Sequence, residues 1–306
     1  MKIKQTKMVD PVILGTVALD TLETPFGKVK DALGGSASYA SIAASFFSKP
    51  GILSIIGKDF PKQHIKYLNE KGIDTQGITL GEKTFRWQGF YEFDMNEAKT
   101  LRTELNALAS YQVKVPESYK KAKYIFLANI DPKLQLDVIN SIKKPELIVM
   151  DTMNFWIEHK KEEVLKILEK ADIIVLNDAE ARQLFDTPNL VKAADSALKL
   201  NTKAVIIKKG EHGALLFTDN KHFSAPGYPL EIIKDPTGCG DCFGGAFIGY
   251  LSKTKDLSEK NLRKAVVYGS VMASFNAEEF SIGKLKKITH KDIENRYNEF
   301  KEIREF

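Results

Sequence analysis

The stretch that decides the fold class is Asp-Pro-Thr-Gly-Cys-Gly-Asp-Cys-Phe-Gly-Gly-Ala-Phe, residues 235–247. Pro236 and the glycines oppose regular structure up to Gly240, and the small and aromatic residues after Asp241 favour a closely packed helix. The free N–H groups and the dipole at the start of such a helix attract anions. Asp241 places a carboxylate beside them, which suits a general base. The stretch therefore predicts an anion hole for a transferring phosphoryl group.

Other motifs could also account for this stretch. The chain contains no G-x-x-x-x-G-K-[ST] string, which a Walker A loop requires, and the G-x-G at 238–240 misses the dinucleotide-binding spacing by one residue. Cys239 and Cys242 form a C-x-x-C pair at a helix start, where a lowered thiol pKa would permit redox chemistry. Zinc binding lacks partners, because the chain has no other cysteine and its five histidines form no H-x₃₋₅-H pair. Phosphoryl transfer is thus the leading hypothesis, and thiol redox chemistry is the alternative.

Outside this stretch, short apolar runs alternate with helical patterns. The strand-like runs are Val12–Ala18, Ile52–Ile56, Tyr124–Ala128, Leu147–Met150, Ile173–Leu176 and Ala204–Lys208. Helix-like segments follow most of them, and three further helices are predicted over Asp241–Leu251, Ser258–Ala277 and His290–Phe300. Apolar strands that alternate with amphipathic helices are typical of a parallel sheet covered on both faces.

One segment breaks the alternation. Thr84–Phe93 and Lys99–Leu108 are extended runs, aromatic or alternating in character, on either side of a turn-rich segment. They predict a β-hairpin inserted into the α/β scaffold. The hairpin is either an edge of the main sheet or a lid whose aromatic side chains exclude water from a site on closure.

The composition argues against several classes of function. The 306 residues are 43% hydrophobic and 28% charged, which is ordinary for a globular protein. The longest apolar runs are far shorter than the roughly 18 residues of a membrane helix. A net charge of +5 from scattered lysines gives little support to nucleic-acid binding. The N-terminal lysines precede no apolar run of signal-peptide length, and two cysteines make no disulfide framework, so we expect a cytoplasmic protein.

The segment 235–241, Asp-Pro-Thr-Gly-Cys-Gly-Asp, resembles the D-T-x-G-A-G-D signature of the ribokinase-like (PfkB-type) carbohydrate and nucleoside kinases. Weaker motifs of the same family follow one another in family order from residue 15. They are Gly15 and Asp20, Gly34-Gly35, Gly57-Lys58-Asp59, Gly72-Ile73-Asp74-Thr75, Asp151-x-x-Asn154, Asn177-x-x-Glu180 and Lys209-Gly210-x-x-Gly213. The signature is specific, and the resemblance covers most of the chain.

The resemblance implies a three-layer α/β/α Rossmann-like fold, here a single domain over residues 1–306 with a small β lid formed by residues 15–33 and 84–108. It implies transfer of the γ-phosphate of ATP, with Mg²⁺, to a hydroxyl of a sugar or sugar-like small molecule. The alternative is a nucleoside kinase that acts on an adenosine-like acceptor, and a third interpretation is a ligand-binding module that has lost catalysis. Dimerisation through the lid occurs in this family, and the aromatic strand Thr84–Phe93 would offer the surface for a homodimer.

The resemblance also implies roles for individual residues in catalysis. Asp241 would be the catalytic base. Gly238, Cys239 and Gly240 would donate backbone N–H groups as the anion hole. The hydroxyls of the acceptor would be held by Asp20, Gly34 and Gly35.

The nucleotide and the cations would be bound by further residues of the same motifs. Asn177 and Glu180 would order the Mg²⁺–phosphate network, Glu180 through water. Asp235 and Thr237 stand where many relatives bind a monovalent cation, so K⁺ activation is expected. The remaining nucleotide contacts would be Lys209, Gly210, Gly213, Gly269, Ala273 and Ser274.

The chain departs from the family at Tyr39. The family often carries Gly-Gly-x-x-x-Asn, whose asparagine contacts the sugar, whereas here Tyr39 follows Gly34-Gly35 at that spacing. Its ring could stack on a larger or more apolar acceptor, or it could pack in the core. Asn129 follows a predicted strand, at the sheet edge where α/β folds bind ligands, and we predict that it contacts the acceptor. Asp59 either belongs to the family motif or caps a helix that begins near Pro61.

Overall fold

Two separate β-sheets organise the chain in the computed structural model, which describes residues 9–95, 97–219 and 221–305. In chain order the strands are β1 (Val12–Leu14), β2 (Ala18–Thr24), β3 (Gly27–Gly34), β4 (Gly51–Gly57), β5 (Ile78–Gly81), β6 (Phe85–Tyr91), β7 (Ala98–Glu104), β8 (Tyr124–Leu127), β9 (Leu147–Asp151), β10 (Ile173–Asn177), β11 (Ala204–Lys208), β12 (Ala214–Thr218) and β13 (Lys221–Ala225). Residues 1–8, on which the expected absence of a signal peptide partly rests, lie outside the described part of the chain.

The larger sheet has, within the described residues, nine strands in the order β13-β12-β11-β10-β9-β8-β1-β4-β5. The strands from β11 to β5 are all parallel, as the alternation predicts. The expectation of a parallel sheet is wrong at one edge, because β12 pairs antiparallel with both of its neighbours, β11 and β13. The connection from β11 to β12 is shorter than the roughly one dozen residues that a crossover needs, so the chain turns back as a hairpin.

Helices cover both faces of this sheet. They are α1 (Ser36–Ser45), α2 (Lys62–Glu70), α3 (Pro132–Ser141), α4 (Asn154–His159), α5 (Lys161–Leu168), α6 (Asp178–Leu184), α7 (Leu190–Leu198), α8 (Cys239–Thr254), α9 (Glu259–Ala277) and α10 (His290–Glu302). Successive residues of β1 enter opposite cores: Ile13 lies in the core of α1, α8 and α9, whereas Val12 and Leu14 lie in that of α3, α5, α6 and α7. The three-layer α/β/α architecture is therefore confirmed. In the described ranges, no helix has the length and apolar character that crossing a bilayer requires.

Glycines allow α8 to lie directly on its neighbours. A Cβ at Gly249 would come within 2.8 Å of Ala44 Cα in α1, and one at Gly245 would overlap the backbone of Ala40. A Cβ at Gly244 would overlap the ring of Phe126 in β8. This close packing fixes the start of α8, where the signature stretch lies, relative to the main sheet.

The smaller sheet has the order β3-β2-β6-β7, and β6 with β7 forms the predicted hairpin. The hairpin is not an edge of the main sheet, so that alternative is wrong. The second run, Lys99–Leu108, is interrupted: β7 ends at Glu104, and Asn106–Ser110 forms a short 3₁₀ helix. The sheet occupies the two stretches of sequence from which the lid was predicted, and its action as a lid stays a prediction.

Asp59 links the two sheets. Its Oδ1 accepts hydrogen bonds from Thr84 N at 2.7 Å and Thr84 Oγ1 at 2.8 Å, and its Oδ2 accepts one from Arg86 Nη2 at 3.1 Å. Arg86 also pairs with Asp31 of β3. Burial alone would raise the pKa of Asp59, but the bonds from Thr84 and Arg86 hold it below its usual value. The N-cap of helix α2 is Pro61, and no described side chain caps it, so the interpretation of Asp59 as its N-cap is wrong.

Candidate active site

The signature stretch forms the start of α8. The helix begins at Cys239, two residues before the predicted start at Asp241, and its N-cap is Gly238 in the left-handed region with a φ of 78°. Cys239 N donates to Pro236 O at 3.1 Å. The N–H groups of Gly240 and Asp241 belong to the set that the first turn of a helix leaves without intrahelical acceptors. They are therefore the candidate donors to an anion.

Asp241 lies in the first turn of α8, beside these donors. Burial and the negative charge of Asp151 raise its pKa to about 7, against the opposing attraction of Lys208. A carboxyl group with a pKa near neutrality can take a proton from a hydroxyl with good efficiency at physiological pH. The position thus combines a carboxyl group suited to act as a base with N–H groups suited to bind an anion.

Three neighbouring strands end in polar residues at the same edge of the main sheet. These are Asp151 on β9, Asn177 on β10 and Lys208 on β11, and the register pairs Asn177 with Lys208. Lys208 Nζ forms an ion pair with Asp151 Oδ2 at 2.8 Å. Lys208 was not among the site residues predicted from the sequence. The available signal was a lysine that closes the apolar run Ala-Val-Ile-Ile-Lys at the edge where α/β sheets bind ligands.

Glu180 and Asn177 form a capping box at the start of α6. Asn177 Oδ1 accepts from Glu180 N at 2.7 Å, and Glu180 Oε2 accepts from Asn177 N at 2.7 Å. Burial raises the pKa of Glu180 to about 8, with Lys208 opposing the shift and Asp151 adding to it. Among the described residues, no three His, Cys, Asp or Glu side chains are placed to bind one metal ion. Mg²⁺ in proteins is commonly bound through one or two carboxylates together with substrate phosphates and water, and Glu180 fits that mode.

The turn between β11 and β12 carries Lys209, Gly210 and Gly213. The two glycines have φ values of 55° and 84°, and Lys209 N donates to Gly213 O at 2.7 Å. A Cβ at Gly213 would overlap the backbone of Ala225. The tight turn therefore lies at the same end of β11 as Lys208, and its contact with a nucleotide stays a prediction.

Gly269, Ala273 and Ser274 lie on α9 with different surroundings. Ala273 O accepts a hydrogen bond from Cys239 Sγ at 3.4 Å, which places it beside the start of α8. A Cβ at Gly269 would come within 2.9 Å of the ring of Phe243 on α8. Ser274 Oγ accepts from Arg296 Nη1 at 3.0 Å, so this hydroxyl is engaged with α10. Of the three residues, the structure brings Ala273 into contact with the signature loop.

Asp20, Gly34 and Gly35 come together where the smaller sheet meets the start of α1. A Cβ at Gly34 would overlap the carboxylate of Asp20, and Gly35, with a φ of 91°, is the N-cap of α1. Burial and the charge of Asp235 raise the pKa of Asp20 to about 8, and the charge of Asp241 adds to the shift. The predicted acceptor-binding carboxylate and the predicted base are thus near enough to influence each other.

Tyr39 is 2% exposed. Its ring lies against Gly238, where a Cβ would overlap it. Burial raises the pKa of its hydroxyl well above the ordinary value, and the charges of Asp235 and Asp20 add to the shift. Of the two alternatives for Tyr39, packing in the core describes its position in the structure, beneath the signature loop.

Asn129 follows β8, and both ends of its amide are engaged. Its Oδ1 accepts from Trp156 Nε1 at 3.0 Å, and its Nδ2 donates to Met153 Sδ at 3.2 Å. Its backbone oxygen accepts from Ser36 Oγ at 2.9 Å, which ties it to the start of α1. Met153 and Phe155 are partly exposed next to this network, and Phe155 contacts Trp156 edge to face. The residue is therefore bordered by apolar surface.

The buried Asp235 and the half-buried Thr237 form a polar group before α8. Asp235 Oδ1 accepts from Thr237 N at 2.9 Å, its Oδ2 accepts from Ser281 N at 2.8 Å, and burial raises its pKa. Asn276 Nδ2 donates to Thr237 O at 2.7 Å, whereas the buried Asn276 Oδ1 has no hydrogen-bond partner within the described residues. A buried carboxylate and an unpaired amide oxygen fit a hard cation that takes oxygen ligands.

The thiols argue against the redox alternative. Burial raises the pKa of Cys239 to about 12 and also raises the pKa of Cys242. Because thiol redox chemistry proceeds through the thiolate, such thiols are inert near neutral pH.

Comparison with known proteins identifies the family. A family model described as pfkB family carbohydrate kinase matches residues 16–287. A cytidine kinase of Thermococcus kodakarensis is 31% identical over 258 residues, which cover 82% of this chain and 92% of the relative. The crystal structure of a Methanocaldococcus jannaschii nucleoside kinase, an archaeal member of the ribokinase family, has a TM-score of 0.78 at 22% identity over 94% of this chain and 98% of that one. An Escherichia coli protein assigned as ribokinase II, solved with ATP and Mg²⁺, has a TM-score of 0.77 at 19% identity over 94% and 98%. With a family model that spans most of its length and a ribokinase fold around the signature loop, this chain belongs to the PfkB family of carbohydrate kinases.

Proposed function

We propose that this kinase transfers the γ-phosphoryl group of ATP to a hydroxyl group of a nucleoside, with Asp241 as the general base. The observation that carries the proposal is the position of Asp241, a carboxyl group with a pKa of about 7 in the first turn of α8. It lies next to N–H groups that can hold a phosphoryl group. A nucleoside is the favoured acceptor because a cytidine kinase resembles this chain over most of its length.

In the proposed reaction, each group of residues has one task. Asp241 would accept the proton of the acceptor hydroxyl as that hydroxyl attacks the phosphorus in line. The N–H groups of Gly240 and Asp241 would hold the charge that develops on the phosphoryl oxygens. ATP with Mg²⁺ supplies the transferable group and neutralises part of its charge. Asn177 and Glu180 would orient the water around the metal, and Asp20 would bind hydroxyls of the acceptor.

The apolar surface beside Asn129 also supports a nucleoside acceptor. Met153 is 38% exposed and Phe155 is 48% exposed, at the end of the sheet where the polar strand ends converge. A free sugar offers little apolar surface to such side chains, whereas a nucleobase can stack on them.

A coupled assay of ADP release tests the proposal. The panel contains nucleosides, ketoses, aldoses, sugar acids, sugar phosphates and inositols, each with Mg-ATP and K⁺. We expect turnover of at least one nucleoside and a fall in kcat of roughly 10²–10⁴-fold in Asp241→Asn. The matched control is Asp195→Asn, which removes an exposed carboxylate on α7. A loss below tenfold in Asp241→Asn would contradict its role as base, and turnover of sugars alone would contradict the nucleoside acceptor.

We extend the proposal to a monovalent cation at Asp235 and Thr237. The buried Asp235 carboxylate and the unpaired Asn276 Oδ1 support a K⁺ ion there. Replacing K⁺ by tetramethylammonium at constant ionic strength should lower kcat, and Asp235→Asn should remove this dependence. Equal rates in the two salts would contradict the site.

The remaining part of the proposal concerns assembly and location. Leu101 on β7 and the following Leu105 are 59% and 51% exposed, which supports a homodimer through the smaller sheet. Light scattering should give a dimeric mass for the wild type and a monomeric mass for Leu101→Glu, and a monomeric wild type would contradict the interface. A location in the cytoplasm, where ATP is available, completes the proposal.

A further inference from the structure

Gln135 on α3 is a buried polar residue that the proposed reaction does not use. Its side chain is inaccessible to solvent, since the residue is only 1% exposed. Its Nε2 lies within hydrogen-bonding distance of three backbone oxygens, those of Leu127 at 3.3 Å, Ala128 at 3.0 Å and Asp151 at 3.1 Å. A side-chain amide has two N–H donors, so the three oxygens share them. One side chain therefore holds the backbone of two strands, β8 and β9.

The bonded oxygens lie where β8 and β9 stop pairing with each other. The ladder between the two strands ends at the pair of Leu127 with Met150. Ala128 and Asp151 come one residue later, and the buried amide connects their oxygens beyond the last ladder pair. The amide of Gln135 therefore sets the separation of the two strand ends at this edge of the sheet.

Both strand ends lead into the surface proposed for the acceptor. Asn129 lies two residues after the end of β8, and Met153 lies two residues after the end of β9. Asn129 Nδ2 donates to Met153 Sδ at 3.2 Å, which joins the two segments, and the 48% exposed Phe155 follows on α4. The separation that Gln135 sets is therefore also the separation between the Asn129 amide and the ring of Phe155.

A buried amide can also serve only to satisfy backbone carbonyl groups. Asn261 shows that case at the end of α8 opposite to the signature stretch. It is 6% exposed, and its Nδ2 donates to Asp256 O at 2.7 Å and to Thr254 Oγ1 at 2.8 Å. These two partners belong to one connection between helices, whereas the partners of Gln135 belong to two strands that both end at the proposed acceptor surface. This difference favours a role in positioning.

Resting on the proposed function, we propose that Gln135 is a positioning residue for the nucleoside: its amide fixes the two strand ends so that Asn129 and Phe155 stand at the separation that the nucleobase needs. Gln135 itself is too deeply buried to contact a substrate. Glutamine suits this place because it combines a long reach with two donors. Methionine has a similar length and no donor, and an ionised glutamate has no donor either.

The role concerns the acceptor and not the nucleotide. The residues predicted to contact the nucleotide lie on β10, in the turn after β11 and on α9, and none of them is among the partners of Gln135. A displacement of about 1 Å in a group that holds a substrate can lower a rate as much as 10²-fold. We therefore expect the loss of the Gln135 amide to change acceptor binding and to leave ATP binding unchanged.

The first test compares Gln135→Met with Asn261→Leu. Each variant removes a buried amide that is bonded to backbone, so each should lower Tm, and the assays are run well below both transitions. We expect Gln135→Met to raise the KM of the nucleoside roughly tenfold, with the KM of ATP within about twofold of the wild-type value. Asn261→Leu should leave both KM values unchanged. Equal nucleoside KM values in the two variants would overturn the proposal, because Gln135 would then only stabilise the fold.

A shorter amide keeps the test decisive if Gln135→Met does not fold. Gln135→Asn retains both donors and withdraws them by one methylene group, so it cannot bond both strand ends in the same geometry. We expect it to raise the nucleoside KM as well. A wild-type nucleoside KM in a folded Gln135→Asn would overturn the proposal.

The second test measures binding without turnover. Calorimetry gives the dissociation constants of the nucleoside and of a non-hydrolysable ATP analogue for the wild type, for Gln135→Met and Phe155→Ala, and for the double variant. Phe155→Ala removes the ring on which the base would stack. Gln135→Met should therefore weaken nucleoside binding several-fold less in this background than in the wild type. Equal effects in the two backgrounds would overturn the proposal, because Gln135 and Phe155 would then act independently.

The failure of this inference differs from the failure of the proposed function. A wild type that phosphorylates a nucleoside, with Gln135→Met and Asn261→Leu indistinguishable in nucleoside KM, would overturn the role of Gln135 and leave the nucleoside kinase intact. A wild type that turns over no nucleoside would overturn the proposed acceptor and this inference together.

Discussion

The contact between Gly238 and Tyr39 predicts a specific pattern of stability changes. Alanine at position 238 would have to adopt a φ of 78°, and a left-handed conformation is unfavourable by about 1–2 kcal/mol for such a residue. Its Cβ would also overlap the ring of Tyr39, and overpacking of this kind is unfavourable by about 1–3 kcal/mol. We therefore expect Gly238→Ala to lower the free energy of unfolding by roughly 2–5 kcal/mol.

Two substitutions at Tyr39 separate the backbone strain from the steric overlap. Tyr39→Leu removes the ring, so in this background Gly238→Ala should lower stability by the backbone part alone, about 1–2 kcal/mol. Tyr39→Phe keeps the ring and removes only the hydroxyl, so in this background the full effect of Gly238→Ala should remain.

Urea unfolding measures these free energies. The fluorescence of Trp87 and Trp156 and the circular dichroism should give coincident transitions if the unfolding is two-state. An effect of Gly238→Ala that is equal in all three backgrounds, within about 0.5 kcal/mol, would refute the contact. Tyr39 would then be available for stacking on the acceptor.

Four further predictions concern charge and the thiol. A general base acts only when it is deprotonated, and the proposed base Asp241 has a pKa of about 7. We therefore expect log kcat/KM to rise with unit slope below that pH and to level off above it; a profile that is flat from about pH 5 to 8 would contradict the assignment. The pKa of Asp20 is raised from 3.8 to about 8 in the folded state. Its contribution to stability is therefore complete below pH 3.8 and is lost as the pH rises through about 8. Asp20→Asn should flatten the decline of Tm between these two pH values. Cys239→Ser should keep kcat near the wild-type value, because the raised pKa of its thiol leaves the thiol unreactive near neutral pH, and an inactive variant would restore the redox hypothesis. Arg86→Ala, which removes the ion pair to Asp59, should raise the acceptor KM roughly three- to tenfold in steady-state assays, with kcat little changed, and an unchanged KM would count against a lid role.

The layered fold was accessible from the sequence because its strands are buried on both faces. Runs such as Ile173–Leu176 are apolar throughout, and this is the pattern that a covered parallel sheet requires. The start of α8 was misplaced by two residues for a physical reason. Glycine is unfavourable inside a helix, but Gly238 lies at the N-cap in a left-handed conformation that glycine adopts without steric cost. The helix can therefore begin at Cys239 and include Gly240.

The partners of individual charges were not accessible, because they depend on which distant residues the fold brings together. Asp59 is hydrogen-bonded to Thr84 and Arg86, 25 and 27 residues away, and neither partner can be identified from its neighbours in sequence, which left a helix cap as one of two interpretations. Lys208 forms its ion pair with Asp151 on β9, 57 residues away in sequence. A local pattern contains no information on such pairs.

The absence of a side chain at two glycines limits which substitutions this sequence can accept. Gly34 leaves the volume that the Asp20 carboxylate fills, and Gly240 leaves the volume that the Lys208 ammonium approaches. The effect of a substitution at either glycine therefore depends on the residue at its partner position, so the two positions of each pair are not independent. In a library that randomises positions 208 and 240 together, bulky residues at 240 should survive a selection for folding only beside short residues at 208.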